Sequence, residues 1–382
     1  MKEVNYMNTT IIIGGGIVGA STAYHLAKAG EQVILFDRKD EGQATDAAAG
    51  IICPWLSQRR NKAWYTMARE GAKYYPQLIE QLEKDGETNT GYKKVGALCL
   101  HTDEDKLQKM MERAELRKEQ SPEIGDVIQL TKAQTKERFP MLDEQYASVF
   151  VSGAARVNGR ALRNALIKGA KKYGATIIQQ SAQLWVENNE VKGVRADNRP
   201  YAAQNVIVTA GAWANELFTP LDLQIQVKGQ RAQIVHLTVE NMDTGEWPVI
   251  MPPTNQYILT FDNGKIVMGA TYEDDMEFDC RVTAGGIHEI LEKALSIAPG
   301  LKTGTFTEAR VGFRPVVPDF LPVIGHLPSY ENLLFANGLG ATGLTAGPFV
   351  GEQLAKLVLD QELTLDLSLY PVEKIVKELP GN

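Results

Sequence analysis

A glycine-rich turn near the start of the chain limits the fold more than any other feature. Residues 9–13 form a short β-branched run that predicts a buried strand, and glycines with G-x-G-x-x-G spacing follow it at once. Helical spacing continues over residues 20–29, and residues 32–36 form a second apolar run that predicts a strand. The N-terminal segment therefore predicts a βαβ unit that binds a dinucleotide.

Each glycine of this turn has a separate role in binding a dinucleotide. Gly14 permits the tight turn, Gly16 lets the backbone approach a pyrophosphate, and Gly19 lets the helix pack closely on the strand. The N-terminus of the helix favours the pyrophosphate, because its N–H groups are unpaired. Asp37 ends the second strand, where its carboxylate can accept hydrogen bonds from both ribose hydroxyls and repels a 2′-phosphate. The motif alone does not separate NAD from FAD.

Composition excludes several classes of protein. Of the 382 residues, 44% are hydrophobic and 23% are charged, which is typical of a globular protein of two or three domains. The net charge is −7 without a basic block, so we expect no nucleic-acid partner. Cys53, Cys99 and Cys280 form no C-x-x-C pair and the histidines form no ligand motif, so we expect no metal site and a reducing, cytoplasmic location.

The order of the remaining patterns indicates two interleaved domains. Amphipathic helices are predicted over residues 63–82 and 159–173, and a last helix over residues 345–359 with Pro348 in its first turn. Between them, residues 225–236 and similar β-rich runs predict antiparallel strands. We therefore expect an α/β plus α+β fold, in which a Rossmann-like domain alternates along the chain with a domain built on a mixed or antiparallel sheet.

Four further segments resemble the D-amino-acid oxidase superfamily of flavoenzymes, which includes glycine oxidase and sarcosine oxidase. These segments are residues 45–54 (TDAAAGIICP), 208–213 (VTAGAW), 312–325 (beginning GFRP) and 337–345 (NGLGATGLT). Together with the glycine turn they occur in the family's order and span most of the chain. The resemblance implies FAD as the cofactor, a p-hydroxybenzoate-hydroxylase-like topology, and oxidation of an amine next to a carboxylate.

That topology gives the predicted domain boundaries. The FAD-binding domain is expected at residues 1–90, 151–221 and 309–382. The substrate-binding domain is expected at residues 91–150 and 222–308. Both domains are therefore discontinuous in sequence, and the sequence leaves open whether the chain forms a homo-oligomer.

The resemblance also implies a set of FAD contacts. Asp37 and Arg38 would hold the adenosine ribose region, Thr45 and Asp46 would lie near the pyrophosphate, and the backbone of Gln183 would contact adenine. The complete predicted set is Gly14, Gly16, Ile17, Val18, Gly19, Asp37, Arg38, Thr45, Asp46, Ala49, Gly50, Ile51, Gln183, Gly211, Gly338, Leu339, Gly340, Thr342, Gly343 and Leu344.

The resemblance further implies three residues that contact the substrate. Arg314 stands where the family binds the substrate carboxylate, Tyr257 matches a tyrosine whose hydroxyl assists, and Ala341 stands where a backbone carbonyl receives the substrate amine. Pro315 and Val316 follow Arg314, so the cysteine that carries covalent flavin in sarcosine oxidases is missing and we expect non-covalent FAD.

The implied activity is oxidation of glycine, sarcosine or a D-amino acid to the imino acid, with oxygen or an electron carrier as acceptor. Alternatives are a carrier-linked dehydrogenase, a flavoenzyme that oxidises carboxymethylamino groups on tRNA, a flavin-binding protein without turnover and an NAD-linked dehydrogenase. From the residues alone, Arg314 can instead pair with Asp319 or Glu308, and Tyr257 can be a cross-strand packing residue. Residues 273–275 are expected to form a solvated acidic loop or to gate the site.

Overall fold

The computed structural model describes residues 9–274 and 276–378. Its strands are β1 (Thr9–Ile13), β2 (Gln32–Phe36), β3 (Ile51–Ile52), β4 (Lys93–Lys94), β5 (Ala97–His101), β6 (Val127–Leu130), β7 (Ala147–Val151), β8 (Ala155–Arg156), β9 (Thr176–Ile178), β10 (Gln183–Glu187), β11 (Glu190–Ala196), β12 (Arg199–Ala202), β13 (Asn205–Val208), β14 (Leu223–Ile225), β15 (Lys228–Thr238), β16 (Val249–Met251), β17 (Tyr257–Thr260), β18 (Lys265–Gly269), β19 (Thr305–Val316), β20 (Val323–Leu327), β21 (Tyr330–Asn337) and β22 (Val376–Glu378). Its α-helices are α1 (Ile17–Lys28), α2 (Ala44–Ala47), α3 (Lys62–Lys84), α4 (Glu104–Lys118), α5 (Lys132–Arg138), α6 (Gly159–Lys172), α7 (Ala284–Ile297) and α8 (Gly343–Val358). None of the helices in these ranges is long and apolar enough to cross a membrane.

A six-stranded sheet contains the predicted βαβ unit. Its order is β20-β21-β13-β1-β2-β9, in which only β20 runs antiparallel to its neighbour. Every residue of β1 is buried, as its β-branched sequence predicts. Helix α1 begins at Ile17 rather than at residue 20, because Gly16 is extended and serves as its N-cap. The Rossmann-like part of the predicted fold is thereby confirmed.

An eight-stranded mixed sheet forms the second part of the fold. Its order is β19-β15-β18-β17-β16-β5-β7-β6, and all pairs except β16 with β5 are antiparallel. The hairpin between β17 and β18 turns at Asn263 and Gly264, which both have positive φ angles as this type of turn requires. The expected mixed sheet is therefore present.

The chain crosses between the two sheets several times. Strand β19 extends across the predicted boundary at residue 309 and lies wholly in the eight-stranded sheet. Strand β7 likewise ends at Val151, just beyond the predicted boundary at residue 150. Both strands belong to the eight-stranded sheet, while the division into an FAD-binding and a substrate-binding domain stays a prediction.

Helix α8 begins earlier than the sequence predicts. Its first residue is Gly343, because a 3₁₀ turn at Gly340–Thr342 leads directly into it. Pro348 therefore lies in the second turn, where its missing N–H leaves the carbonyl of Leu344 without a helical donor. The hydroxyl of Tyr75 on α3 donates to that carbonyl at 2.5 Å, so the helix continues past the proline.

A buried carboxylate joins helices α1 and α3 with the end of α6. Asp85, at the end of α3, accepts hydrogen bonds from the Tyr24 hydroxyl (2.5 Å), the Lys28 ammonium (2.6 Å) and the Tyr173 hydroxyl (2.5 Å). Burial by itself raises the pKa of Asp85, but these hydrogen bonds outweigh it and lower the pKa to about 2. The charged form is thus the one that the fold stabilises.

Substituting Asp85→Asn should lower the free energy of unfolding at pH 7 by about 1–3 kcal/mol, because charge-assisted hydrogen bonds to Lys28 and two tyrosines are lost. The pKa of the folded carboxyl lies below its unfolded value of about 3.9. The stabilisation is therefore complete above that value and disappears as pH falls towards 2. Urea unfolding of both proteins at pH 7 and pH 3 measures this, with the exposed Glu83→Gln as the matched control. If the difference in unfolding free energy between wild type and Asp85→Asn does not shrink with falling pH, the proposed stabilisation by the charged carboxylate is contradicted.

Candidate active site

One elongated cavity follows the carboxyl ends of the parallel strands and continues to the eight-stranded sheet. Most of the residues that the sequence predicts for the site line it. These are Gly14, Gly16, Ile17, Val18, Asp37, Arg38, Thr45, Ala49, Gly50, Ile51, Gly211, Tyr257, Arg314, Leu339, Gly340, Ala341, Gly343 and Leu344. The cavity thus joins both predicted halves of the site, as expected where ligands bind in open α/β sheets.

The glycine turn is closely packed and leaves helical N–H groups facing the cavity. Gly14 has φ +104°, and a Cβ there would lie 2.5 Å from the carbonyl oxygen of Thr209. The amide of Ile17, the first residue of α1, donates to the Thr45 hydroxyl at 3.0 Å. A Cβ on Gly16 would meet only that hydroxyl, at 3.5 Å, so this side of the turn is open. The arrangement fits a pyrophosphate at the N-terminus of α1.

Asp37 is oriented by three hydrogen bonds at one end of the cavity. Its Oδ2 accepts from the amide of Gly15 at 3.1 Å. Its Oδ1 accepts from the amide of Lys39 at 2.8 Å and from the side-chain amide of Gln43 at 2.9 Å. Arg38 forms ion pairs with Asp40 and Glu216, which also line the cavity. This end fits the adenosine part of a dinucleotide.

The middle of the cavity is walled by the segment before β3 and by the start of α8. Gly50 has φ +95°, and a Cβ there would lie 1.8 Å from the carbonyl oxygen of Val157, so only glycine fits. The Thr345 hydroxyl of α8 donates to the carbonyl of Ile51 at 3.0 Å, which fixes the helix against this segment. The N-terminus of α8 at Gly343 therefore lies at the wall of the cavity.

Arg314 lies on β19 at the other end of the cavity. Its Nη1 donates to the carbonyl of Thr271 at 3.3 Å and to Oε1 of Gln230 at 3.5 Å. Its Cζ lies 4.4 Å from the centroid of the Tyr272 ring. No carboxylate in the described ranges forms an ion pair with it, so neither structural pairing that the sequence left open is formed. Glu308 instead pairs with Arg310.

Tyr257 lies on β17 directly opposite Gly269 of β18. A Cβ on that glycine would lie 2.6 Å from the Tyr257 hydroxyl, so the glycine leaves room for the phenol. Burial raises the pKa of Tyr257 well above its usual range, although Arg314 partly offsets the effect. The hydroxyl therefore stays protonated and can donate a hydrogen bond into the cavity.

Three predicted cofactor residues lie behind the cavity wall. A Cβ on Gly19 would lie 1.9 Å from the carbonyl oxygen of Gly14, so this glycine permits close packing of the helix on the turn. Gly338 has φ +80° and packs against Val317. Thr342 accepts a hydrogen bond from the indole of Trp64 at 3.1 Å. These residues shape the turns that carry their lining neighbours.

Two further predicted residues, Gln183 and Asp46, do not line the cavity, and their FAD contacts stay predictions. Gln183 begins β10, paired with Arg195, and residues 180–182 line the cavity in its place. The side chain of Asp46 turns away to Arg163 on α6, with 2.7 Å between Nη1 and Oδ1.

No pattern in the sequence predicts the buried arginine that supports the loop after β18. Arg231 of β15 is fully buried, donates from Nε to the carbonyl of Asp279 at 2.8 Å and forms an ion pair with Glu273. The expectation that Glu273 is solvated is therefore wrong, whereas Asp274 is exposed. Asp275 lies outside the described residues. This loop carries Tyr272, a cavity residue that the sequence reasoning missed.

Known proteins of the same architecture match almost the whole chain. The sequence model of the DAO family, described as FAD dependent oxidoreductase, matches residues 9–357. The chain belongs to this family. An uncharacterized oxidoreductase of Bacillus subtilis, YurR, is 60% identical over 95% of this chain and 98% of its own length. A glycine oxidase of Bacillus licheniformis is 28% identical over 92% of both chains.

Solved structures also match almost the whole chain. Iminodiacetate oxidase from Chelativorans sp. superposes with a TM-score of 0.92 at 41% identity, over 95% of this chain and 98% of that one. Glycine oxidase from Bacillus cereus superposes with a TM-score of 0.82 at 25% identity, over 94% and 97%. The protein is therefore an FAD-dependent oxidoreductase of the DAO family, and the predicted fold, the oxidoreductase class and FAD as the cofactor are confirmed.

The glycine turn allows two substitutions with different outcomes. Gly14→Ala should destabilise the fold by at least about 2 kcal/mol, because the new Cβ meets the Thr209 carbonyl and φ is positive. Gly16→Ala should leave the melting temperature of the FAD-free protein nearly unchanged but weaken FAD binding, because its Cβ enters the open side of the turn. Thermal unfolding with and without FAD measures both effects. Equal losses of stability in the two FAD-free variants would contradict this account.

Proposed function

We propose that the protein oxidises a small amino acid or secondary amine that carries a carboxylate, of the glycine, sarcosine or D-amino acid class. The product is the imino acid, which water hydrolyses to the oxo acid and ammonia or an amine. The observation that supports this most is Arg314, a guanidinium without a carboxylate partner in the described part of the chain, beside the Tyr257 hydroxyl and in the same cavity as a dinucleotide turn. A carboxylate fits a planar fork of this kind.

The cofactor is held without a covalent bond in this proposal. Asp37 would bind the ribose, the N-terminus of α1 the pyrophosphate, and residues 49–51 the flavin. Bound FAD supplies N5 as the acceptor of the hydride that leaves the substrate carbon. None of the three cysteines lines the cavity, which supports a dissociable flavin.

The residues of the chain orient the substrate and do not act as a base. Arg314 and Tyr257 would hold the carboxylate, and the carbonyl of Ala341 would accept a hydrogen bond from the amine. Among the described residues, the acidic side chains that line the cavity are Asp37, Asp40 and Glu216, and no histidine lines it. These acids lie at the adenosine end, so the amine must arrive neutral and the site contributes mainly orientation. The N-terminus of α8 favours negative charge that develops beside it.

The names of the relatives agree with this substrate class. The glycine oxidase of Bacillus licheniformis and the iminodiacetate oxidase of Chelativorans sp. are named for glycine and iminodiacetate. Both compounds have an amine one carbon from a carboxylate. Sarcosine shares that arrangement as an N-methyl amine. The shared chemical element is the carboxylate that Arg314 would hold.

Anaerobic mixing of the FAD-loaded protein with a panel of amines tests the proposal. We expect glycine, sarcosine, iminodiacetate or a D-amino acid to remove the flavin absorbance, and amines without a carboxylate to leave it unchanged. Readmission of oxygen then gives hydrogen peroxide if oxygen is the acceptor. Reoxidation by an artificial acceptor alone indicates the carrier-linked dehydrogenase. A flavin that no amine of the panel reduces would overturn the proposal.

Substituting Arg314→Leu should leave FAD bound but raise the KM for the amine substrate about 30-fold to several thousand-fold. The reason is the loss of a charge-assisted pair in a partly desolvated site, which costs about 2–5 kcal/mol. Flavin content after gel filtration and steady-state kinetics measure the two effects. An unchanged KM would remove Arg314 from the substrate site.

Substituting Tyr257→Phe should have a smaller effect, because a neutral hydrogen bond is worth about 0.5–1.5 kcal/mol, or a change in KM of about 2- to 10-fold. Since burial raises the pKa of Tyr257, its hydroxyl keeps its proton through the neutral and mildly alkaline range. The ratio of wild-type to variant KM should therefore be constant from pH 7 to pH 9. A ratio that rises towards one with pH in this range would show that Tyr257 titrates there.

A further inference from the structure

We propose that Tyr272 and Glu273 are positioning residues that hold the Arg314 guanidinium in the orientation that a substrate carboxylate needs. Tyr272 acts by direct contact with Arg314. Glu273 acts at one remove, because it fixes the backbone on both sides of Tyr272. The inference rests on the proposed function, since it concerns the carboxylate-binding group of the same site.

The segment that follows β18 provides Arg314 with a hydrogen-bond acceptor and an aromatic ring. The carbonyl of Thr271 accepts a hydrogen bond from Nη1 of Arg314 at 3.3 Å. The ring centroid of Tyr272 lies 4.4 Å from Cζ of Arg314, and both residues line the cavity. The contact of Arg314 with Gln230 on β15 is longer, at 3.5 Å, so the sheet alone holds the guanidinium weakly. Its orientation therefore depends on the backbone at residues 271–272.

The carboxylate of Glu273 fixes this backbone through several hydrogen bonds. Its Oε1 accepts from the Thr271 hydroxyl at 2.7 Å and from the side-chain amide of Gln233 at 2.8 Å. Its Oε2 forms an ion pair with the fully buried Arg231. The Thr271 hydroxyl in turn accepts from the backbone amide of Gln233 at 2.9 Å. One carboxylate thus ties both neighbours of Tyr272 to β15.

All three guanidinium nitrogens of Arg231 are used to hold the loop. Nε donates to the carbonyl of Asp279 at 2.8 Å, Nη1 to the carboxylate of Glu273, and Nη2 to the carbonyl of Arg281. The backbone amide of Arg231 also donates to the carbonyl of Glu273 at 2.9 Å, and the amide of Glu273 donates back at 3.0 Å. The pair therefore fixes the loop at residues 271–273 and again at residues 279–281.

Tyr272 places the face of a ring, and not a carboxylate, beside Arg314. A carboxylate in this place would pair with the guanidinium and compete with the substrate. A ring attracts the cation through its face and leaves the N–H groups at the edge of the guanidinium available for a bidentate ligand. The Tyr272 side chain is 47% exposed, so packing in the core does not account for its position. Contact with Arg314 does.

The charge of Glu273 and its role as an anchor predict opposite results for the variant Glu273→Gln. As a negative charge near the cavity, Glu273 repels an anionic ligand, so its removal by itself would tighten the binding of a carboxylate. As an anchor, its removal weakens the hold on Thr271 and Tyr272, so Arg314 loses its orientation and binds a carboxylate less tightly. The sign of the change therefore separates positioning from a simple effect of charge.

Methoxyacetate and 2-methoxyacetamide isolate the recognition of the carboxylate, because they have similar shapes but only methoxyacetate is an anion. Titration of each into the FAD-loaded protein, followed by the change in flavin absorbance, gives two dissociation constants. The charge preference is the dissociation constant of the amide divided by that of the acid. Wild type should prefer the acid, and Arg314→Leu should bring the preference near one.

The variants Tyr272→Leu and Glu273→Gln should each lower the charge preference about 2- to 10-fold, the range expected for one cation–π contact. Tyr272→Phe should keep most of the preference, because phenylalanine retains the ring face. In the same series, the KM for the amine that wild type oxidises should rise as the charge preference falls.

The variant Glu277→Gln is the matched control, because it removes the same charge from an exposed position of the same loop. None of the hydrogen bonds or ion pairs among the described residues includes Glu277, so its variant should not lower the charge preference. Flavin content after gel filtration shows whether each variant is folded. Glu273→Gln leaves the buried Arg231 without its ion pair, so Tyr272→Leu, at an exposed side chain, keeps the test available if that variant does not fold.

Three results would overturn the inference. The first is an unchanged or increased charge preference in folded Glu273→Gln, and the second is a wild-type preference in Tyr272→Leu. The third is an equal loss in Tyr272→Phe and Tyr272→Leu, which would assign the effect to the hydroxyl and not to the ring. In each case reduction of the wild-type flavin by an amine leaves the proposed function standing, whereas a flavin that no amine reduces refutes that function itself.

Discussion

The chemistry proposed for the site depends on the interactions that orient Arg314. Its partners are a carbonyl, a side-chain amide and an aromatic ring, so its positive charge is oriented but not cancelled. Leaving a charge uncompensated in a partly desolvated site costs free energy, and such sites are typical of ligand binding. The register of the eight-stranded sheet places Gln230 directly opposite Arg314, so the long pairing of β15 with β19 fixes the guanidinium.

The distance between the dinucleotide turn and Arg314 is set by backbone contacts between the two sheets. The amide of Phe313, next to Arg314, donates to the carbonyl of Gly42 at 2.9 Å. Gln43 follows and donates from its side chain to Asp37. A few residues thus connect the carboxylate at the ribose end with the guanidinium at the other end. In the proposed reaction, this junction would align the substrate with the cofactor.

Much of the fold was predictable, because it depends on local patterns. The strand, glycine turn, helix and second strand before Asp37 follow from β-branched runs and glycine spacing, and the hairpin at Asn263 follows from turn residues. The family resemblance supplied most of the cavity residues, which pattern alone does not give. The start of α8 could not be predicted, since the hydroxyl of Tyr75, distant in sequence, satisfies the carbonyl that Pro348 leaves free.

Other residues of the site depend on contacts that sequence spacing does not encode. From its sequence context, Arg231 is an ordinary strand residue. Its role could not be predicted, because its carboxylate partner, Glu273, belongs to a loop that is distant in sequence. Asp46 does not line the cavity, because its carboxylate forms an ion pair with Arg163 of α6. Tyr272 belongs to a loop whose position is fixed by the buried Arg231 of β15. Ion pairs and cation–π contacts between distant segments therefore decide the details of the site.

A crystal structure of the FAD-loaded protein with methoxyacetate tests the central claim most directly. We expect the carboxylate within about 3 Å of both the Arg314 guanidinium and the Tyr257 hydroxyl, with the adjacent carbon over the reactive face of the flavin. A guanidinium turned away from that face, or a pocket beside Tyr257 closed by protein atoms in the loaded enzyme, would contradict the account.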